Sequence, residues 1–416
     1  MKTIKITNEK LFIALIFILF LFGFPFRTSF FNGYFKFLNI PFFIILFLLI
    51  NINRKNINIK KLFLCLLFFL ITILSDLIYG VTVERFIIYF CMNTIPLLLL
   101  CIDWNNVNIS VNSLKKIIKI YNIFIILITI MYILDLFTSC KIMKFIAGNF
   151  VPYVLQWLPQ DGQSLFGMRY ATFLGQYLHT SYIYIVFYLL NSYFNSKVDK
   201  NNQILKNYLV IIISIIGVLS SGSKVGFLLL TLSMIIFNAK KVKAMISLIL
   251  LTLVLYFFGA FNLLLNRLQN ESFSTGRFEF WEKFLTSGFY KIRLFFGLGD
   301  CFSQNIQNTL GRWVMEIVQE LPFVIMLYKE GIVGTLIFIL LLYVSPILNI
   351  KNDIMAKFSI TVLFLVINSY NGVLVTPDTL ILYIFSTILI MLISSYKKSN
   401  RIEVKYENSN NDLVQI

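Results

Sequence analysis

Histidine is almost missing from this chain: His179 is the only one among 416 residues. With no second imidazole and no paired cysteine and histidine, neither a zinc centre nor a histidine-based catalytic triad can be assembled. The five cysteines, Cys65, Cys91, Cys101, Cys140 and Cys301, show no C-x-x-C spacing, so no metal site is indicated. Most fall inside apolar runs, where a thiol packs as a small hydrophobe. No Walker motif and no dinucleotide-binding fingerprint occurs, which leaves no sequence signal for a nucleotide cofactor. Charge is scarce as well, with only 13% Asp, Glu, Lys and Arg. A soluble globular protein carries nearly twice that share.

What fills the chain is apolar: 58% of residues are hydrophobic, and the mean hydropathy is +0.82. Runs long enough for a helix to cross the hydrocarbon layer recur along the whole length. The reading is an all-α polytopic membrane protein, a single membrane domain over 1–416. About twelve spans are expected, near 11–26, 37–53, 62–80, 86–102, 117–135, 171–194, 207–221, 225–238, 244–262, 321–343, 357–375 and 379–395. Lys2, Lys5 and Lys10 precede the first, and lysine-rich turns follow the even-numbered ones. Positive residues in short loops stay cytoplasmic, so both termini, including the tail 396–416, are expected inside. The first run is expected to stay as an uncleaved helix, because the bulky FPFRTSFF after it offers no small-residue cleavage site.

On this topology 22 of the 36 Lys and Arg are cytoplasmic. Nine of the other 14 sit in two outer segments. One is 136–170, with Lys141, Lys144 and Arg169. The other, 263–320, separates spans nine and ten and carries Arg267, Arg277, Lys283, Lys291, Arg293 and Arg312. Two readings stand side by side: long translocated loops escape the positive-inside bias and anchor to headgroups, or these cations form an outward-facing anion site. The net charge of +17 is read in this topological sense, and no nucleic-acid partner is expected. Cys140 and Cys301 would both face the oxidising side, and spacing leaves a disulfide between them open.

Several stretches bear chemistry. In LSSGSKVGFLLL the small residues around Lys224 allow close helix approach. Lys224 is then either a headgroup anchor or, beside exposed backbone N–H groups, part of a phosphate cradle. Within 263–320, Thr275 is a plausible N-cap for a short amphipathic helix with Glu279 in its first turn and Gly288 as its stop. Phe278, Trp281 and Leu285, joined by Phe280 and Phe284, suit a helix lying at the membrane interface. Arg277 at its start would present a planar fork to phosphate oxygens. Glu316 and Glu320 are four residues apart and share one helical face; Glu320 either caps the tenth span or serves as a base. Glu330, deeper in that span, would pair with Lys329 or with another helix. His179, near the outer end of the sixth span, is either a packed helix residue or a substrate contact.

Together these features resemble the O-antigen polymerase and ligase family. They are the twelve spans with both termini inside, the largest outer loop between spans nine and ten, SSGSKVG, FGMRYATFLGQ before the sixth span, and GRFEFW…GLGD followed by KEGIVG. The ten residues between Arg277 and Gly288 are similar to an Arg-x10-Gly pattern of such polymerases. Two departures stand out: Lys224 replaces a common Arg, and 263–320 lacks the histidine of the ligases. Polymerase is therefore preferred over ligase. The resemblance implies a glycosyltransferase in the cytoplasmic membrane that joins undecaprenyl-diphosphate-linked oligosaccharides into O-antigen or capsule, without metal or cofactor. Membrane lipid and a chain-length regulator protein are the other partners it implies. Glu320, then Glu316, would be the general base; Arg277 and Arg169, followed by Arg293, Arg312 and Lys224, would stabilise the leaving diphosphate. Ligase-type transfer and a precursor transporter or flippase are the alternatives.

Overall fold

The computed structural model describes residues 7–31, 35–52, 56–107, 109–159, 169–198, 203–239, 261–270, 282, 284, 286, 291–310, 322–369 and 377–411. Helices dominate them; the only β-type pairing among them is one isolated bridge between Ile57 and Ile102. The helices are α1 (Asn8–Leu21), α2 (Phe24–Phe30), α3 (Phe35–Ile52), α4 (Ile59–Ile78), α5 (Val83–Tyr89), α6 (Val111–Thr138), α7 (Lys141–Phe150), α8 (Tyr177–Lys197), α9 (Asn207–Ser221) and α10 (Lys224–Asn238). They continue with α11 (Asn262–Asn270), α12 (Cys301–Leu310), α13 (Pro322–Ile339), α14 (Ser345–Asn349), α15 (Ile354–Asn368) and α16 (Pro377–Asn411). A π-turn at Phe90–Thr94 and a 3-10 stretch Ile95–Cys101 prolong α5, and a second π-turn at Leu340–Val344 joins α13 to α14.

Among the described residues, five segments are long and apolar enough to cross a membrane: Ile59–Ile78, Val83–Cys101, Val111–Thr138, Pro322–Asn349 and Asp378–Ser395. Shorter apolar helices occupy Pro41–Ile52, α9, α10 and α15. The expected first span is not one rod. Its helix stops at Leu21, and α2 restarts after Gly23 with Pro25 in its first turn, where the missing N–H costs nothing. The expected ninth span, 244–262, lies almost wholly outside the described residues.

Contacts between helix ends show that the chain runs up and down. At one end, called proximal here, Asn8 bonds reciprocally with Asn51, Asn58 N–H donates to the Cys101 carbonyl, Asn105 reaches the Asn349 carbonyl, and Tyr193 and Lys197 meet Asp353. At the other, distal end, Arg27 meets Asp378, His179 meets Thr379, Asp300 meets Asp76, and Tyr170 meets both Asp135 and Ser220.

Two helices form the centre. In α8 the run from His179 to Leu190 is buried throughout, and α16 is buried along most of its apolar length. A helix apolar on all sides belongs inside a bundle. Close approach to α8 depends on glycine. A Cβ at Gly217 of α9 would lie 2.1 Å from the Tyr184 ring, and such small-residue contacts let helix backbones approach. The described part of 136–170 forms a small distal lobe. Asp135 accepts the backbone N–H groups of Ile142 and Met143 and the Tyr170 hydroxyl, and so caps α7. Cys140, Met143, Ala147, Val151 and Val154 pack beneath it. Burial pushes the Cys140 thiol up to about 12. Both Cys140 and Cys301 are free thiols, which answers the disulfide left open by spacing.

Candidate functional site

Three polar constructions occupy the distal end. The first is the α9–α10 turn. Gly222 closes α9 with φ +63°, a conformation that suits glycine. The Ser223 hydroxyl then caps α10 by accepting the Gly226 N–H at 3.0 Å. The segment before α8 docks on this turn: Tyr170 N–H donates to the Ser220 carbonyl at 2.9 Å, and Arg169 Nε donates to the Ser221 carbonyl at 3.0 Å. The Arg169 guanidinium lies 3.6 Å above the Tyr177 ring, a cation–π contact that fixes its plane. Lys224 is the first residue of α10 and is largely buried. One turn beyond Tyr177 on α8 stands Ser181, whose buried hydroxyl has no hydrogen-bond partner among the described residues. It abuts Gly226, where a Cβ would lie 2.1 Å from its oxygen. The fold therefore brings Arg169 and Lys224 to one helix N-terminus, where backbone N–H groups already favour an anion.

The second construction is a break inside α13. Gly331 has φ +76° and ψ 180°, which interrupts the helix in the middle of KEGIVG. The strip from Arg293 to Gly299 runs beside the break and takes over its hydrogen bonds. Leu298 and Gly299 N–H donate to the carbonyls of Tyr328 and Lys329 at 2.7 and 2.9 Å. Ile332 and Val333 N–H donate to the carbonyls of Arg293 and Leu294, both at 2.9 Å. Irregular backbone inside a bundle persists where neighbouring chain satisfies it in this way. Glycine is required on both sides: a Cβ at Gly297 would fall 2.2 Å from the Lys329 carbonyl carbon, and one at Gly331 would fall 3.0 Å from the carbonyl oxygens of Arg293 and Phe295.

Charges collect at this break. Glu330, fully buried, accepts the Thr72 hydroxyl at 3.0 Å and the Tyr89 hydroxyl at 2.8 Å. Lys329 Nζ contacts Asp300 Oδ1 at 2.7 Å and lies 4.5 Å over the Tyr89 ring. Asp76, only 2% exposed, accepts Asp300 N–H through Oδ1 at 2.7 Å, and its Oδ2 has no partner among the described residues. Glu330 thus pairs with other helices and not with the adjacent Lys329. Ionisable groups inside an apolar bundle are costly and mark function more often than stability.

The third construction joins α2, α8 and α16. Arg27, fully buried, contacts Asp378 at 2.5 Å and donates to the Phe22 carbonyl at 3.1 Å. His179 Nδ1 lies 3.1 Å from Thr379 Oγ1 and is buried beside this pair, so it is a packed, hydrogen-bonded helix residue.

Of the residues singled out by sequence, Arg169 and Lys224 meet at one turn. Arg293 stands elsewhere, exposed, with its guanidinium 4.9 Å over the Tyr79 ring. Arg277, Arg312, Glu316 and Glu320 lie outside the described residues, as does most of the helix expected after Thr275, of which Glu282, Phe284 and Thr286 are described and helical. Asp76, Arg27, Arg85, Asp300 and Asp378 escaped the sequence reading as site residues. The signal for Asp76 was present, a lone carboxylate near the end of the run LFLCLLFFLITILSD. Comparison of the chain with protein-family models, with curated proteins and with solved structures finds no match.

Proposed function

We propose that the protein is a membrane glycosyltransferase that polymerises undecaprenyl-diphosphate-linked oligosaccharide units into a surface polysaccharide. On this reading it has about twelve spans, cytoplasmic termini and its large loop outside the cytoplasmic membrane. The observation that carries the reading is the convergence of Arg169 and Lys224 on the N-terminus of α10, with the Ser181 hydroxyl packed against its first turn. Two cations, oriented N–H groups and a hydroxyl suit a diphosphate, and an environment with little water strengthens each interaction.

The reaction needs little else. A hydroxyl of one lipid-linked unit attacks the anomeric carbon of the growing chain. The new glycosidic C–O bond forms as the bond from that carbon to the diphosphate oxygen breaks. Undecaprenyl diphosphate departs with the electron pair, and the hydroxyl proton passes to a carboxylate. Glu320 and Glu316 are the carboxylates proposed for that step. Arg277 and Arg312 would add positive charge around the leaving group.

A second reading is favoured by one specific observation. A broken helix with buried Glu330 and Asp76 beside it is also the construction with which transporters bind their cargo. Fractionating the lipid-linked sugars of a deletion strain separates these readings. Polymerisation predicts single repeat units accumulating on undecaprenyl diphosphate at the outer face. Long chains still attached to the lipid would indicate a ligase, and units trapped at the cytoplasmic face would indicate a flippase; either result overturns the proposal.

A further inference from the structure

Near the distal end of α4 two buried oxygens lack partners. Thr72, Ser75 and Asp76 continue the buried stripe along which α4 packs on α13. The Thr72 hydroxyl donates to Glu330. The Ser75 hydroxyl and Asp76 Oδ2, on fully buried and 2% exposed residues, have no hydrogen-bond partner among the described residues. Buried polar atoms are nearly always paired, and an unmatched carboxylate oxygen is the costlier kind.

Main-chain oxygens stand beside them. Gly299 N–H donates to the Lys329 carbonyl at 2.9 Å, and the next N–H, that of Asp300, donates to Asp76 Oδ1 at 2.7 Å. Asp76 therefore lies against the broken end of α13, where a Cβ on Gly299 would come within 2.1 Å of its Oδ1. The half-helix that stops at Glu330 points the negative end of its dipole at the break. Its Tyr328 and Lys329 carbonyls each accept one N–H and keep a second lone pair.

Charge at the break has the same sign. Asp76, Asp300 and Glu330 supply three carboxylates. Lys329 offsets one at 2.7 Å from Asp300, and Arg85 lies 4.0 Å from the same side chain. With both cations counted in full, one negative charge remains, and Asp76 Oδ2 is the atom that no partner meets. The other ionisable groups nearby leave this balance unchanged. Tyr89 donates its hydroxyl proton to Glu330, burial and then Asp76 and Asp300 push the Cys301 thiol up, and Arg293 is exposed over the Tyr79 ring. Among the described residues no three His, Cys, Asp or Glu side chains gather as a divalent or transition metal would need. A single residual charge amid neutral oxygens suits a monovalent ion instead.

We infer that the break in α13 is an alkali-cation site, in which Asp76 Oδ2 supplies the balancing charge and the Ser75 hydroxyl and the Tyr328 and Lys329 carbonyls supply neutral oxygens. Unwound backbone at the end of a half-helix is a construction with which membrane proteins hold sodium. The ion joins α4 to α13 across the strip that carries Gly299. This site is independent of whether the chain joins sugars or moves them, and its failure leaves the polymerase reading untouched.

The test titrates purified full-length protein in phosphatidylcholine nanodiscs with radioactive sodium, replacing choline at constant ionic strength and fixed pH, and follows the thermal unfolding midpoint in parallel. The wild type is expected to bind a single sodium ion saturably and to unfold at a higher temperature as sodium replaces choline. Asp76→Asn should abolish this binding. Ser75→Ala removes one donor without changing any charge and should weaken it by about three- to tenfold; it decides the matter if Asp76→Asn fails to fold. A wild type that binds no sodium would overturn the inference, and so would sodium retained at full strength by either variant. A midpoint indifferent to sodium that rises as pH falls would make a proton the partner of Asp76 and overturn it as well.

Discussion

The two ends of the bundle handle charge in opposite ways. At the proximal end, charged groups tie neighbouring helix ends together and each stays partly exposed. Glu9 joins Ser113 and Lys116, and Asp353 caps α15 while meeting Lys197, Tyr193 and Ser394. At the distal end, charges sink into the bundle: Arg27 with Asp378, and Asp76, Asp300, Lys329 and Glu330 around a broken helix. Desolvating such groups costs several kcal/mol per ion, which a merely structural bundle avoids with apolar residues. The contrast indicates that the distal end is kept polar for something other than stability.

The comparison is broken most forcefully at Arg27. Arg27→Ala leaves Asp378 buried without its partner, and a loss of about 3–5 kcal/mol is expected, read as the thermal unfolding midpoint in detergent. The apolar pair Arg27→Met/Asp378→Leu should recover most of that loss. If the single variant unfolds like the wild type, the pair is not the buried clasp described above.

Gly331→Ala comes next. It places a Cβ 3.0 Å from two carbonyl oxygens at φ +76°, so about 1–3 kcal/mol should be lost. Polymer length on cells should fall with it. Full-length polymer at unchanged stability would show that the break does not matter.

Asp353→Asn tests the proximal end and should cost about 1 kcal/mol. Burial alone would raise the Asp353 carboxyl, but Lys197, the Ala356 N–H and Tyr193 outweigh it and hold it below the ordinary carboxylate range. A carboxyl depressed in the folded state contributes stability above its unfolded value and loses it as pH falls through its folded value. The wild type should therefore lose this increment only in acid, and Asp353→Asn should flatten that part of a stability–pH curve. A parallel curve would remove Asp353 from the account. Glu9→Gln, at an exposed pair, should shift stability by less than about 0.5 kcal/mol. A larger shift would erase the contrast between the ends.

How much of this was legible beforehand differs by residue. Lys224 was visible because SSGSKVG combines a cation with small residues at a turn, and Arg169 because it sits just before an apolar run. That Arg169 bonds to the carbonyl of Ser221 was not visible, since nothing local to either segment encodes the docking. GLGD and KEGIVG could each be read as punctuation. Their pairing depends on a helix break whose freed N–H and carbonyl groups are met by a strip about 30 residues away. Arg27 and Asp378 lie 351 residues apart, and nothing local to either segment points to the other. Helical segments were the easiest part, because apolar run length is set by helix rise and membrane thickness.

Reconstitution tests the central claim most directly. Purified protein in liposomes is supplied with undecaprenyl-diphosphate-linked repeat units, and the products are resolved by size. The account predicts a ladder of chains from the wild type and unconverted single units from R169A/K224A, with both proteins folded by thermal unfolding. A ladder of equal length from R169A/K224A, or wild-type protein that moves units across the bilayer without joining them, would contradict it.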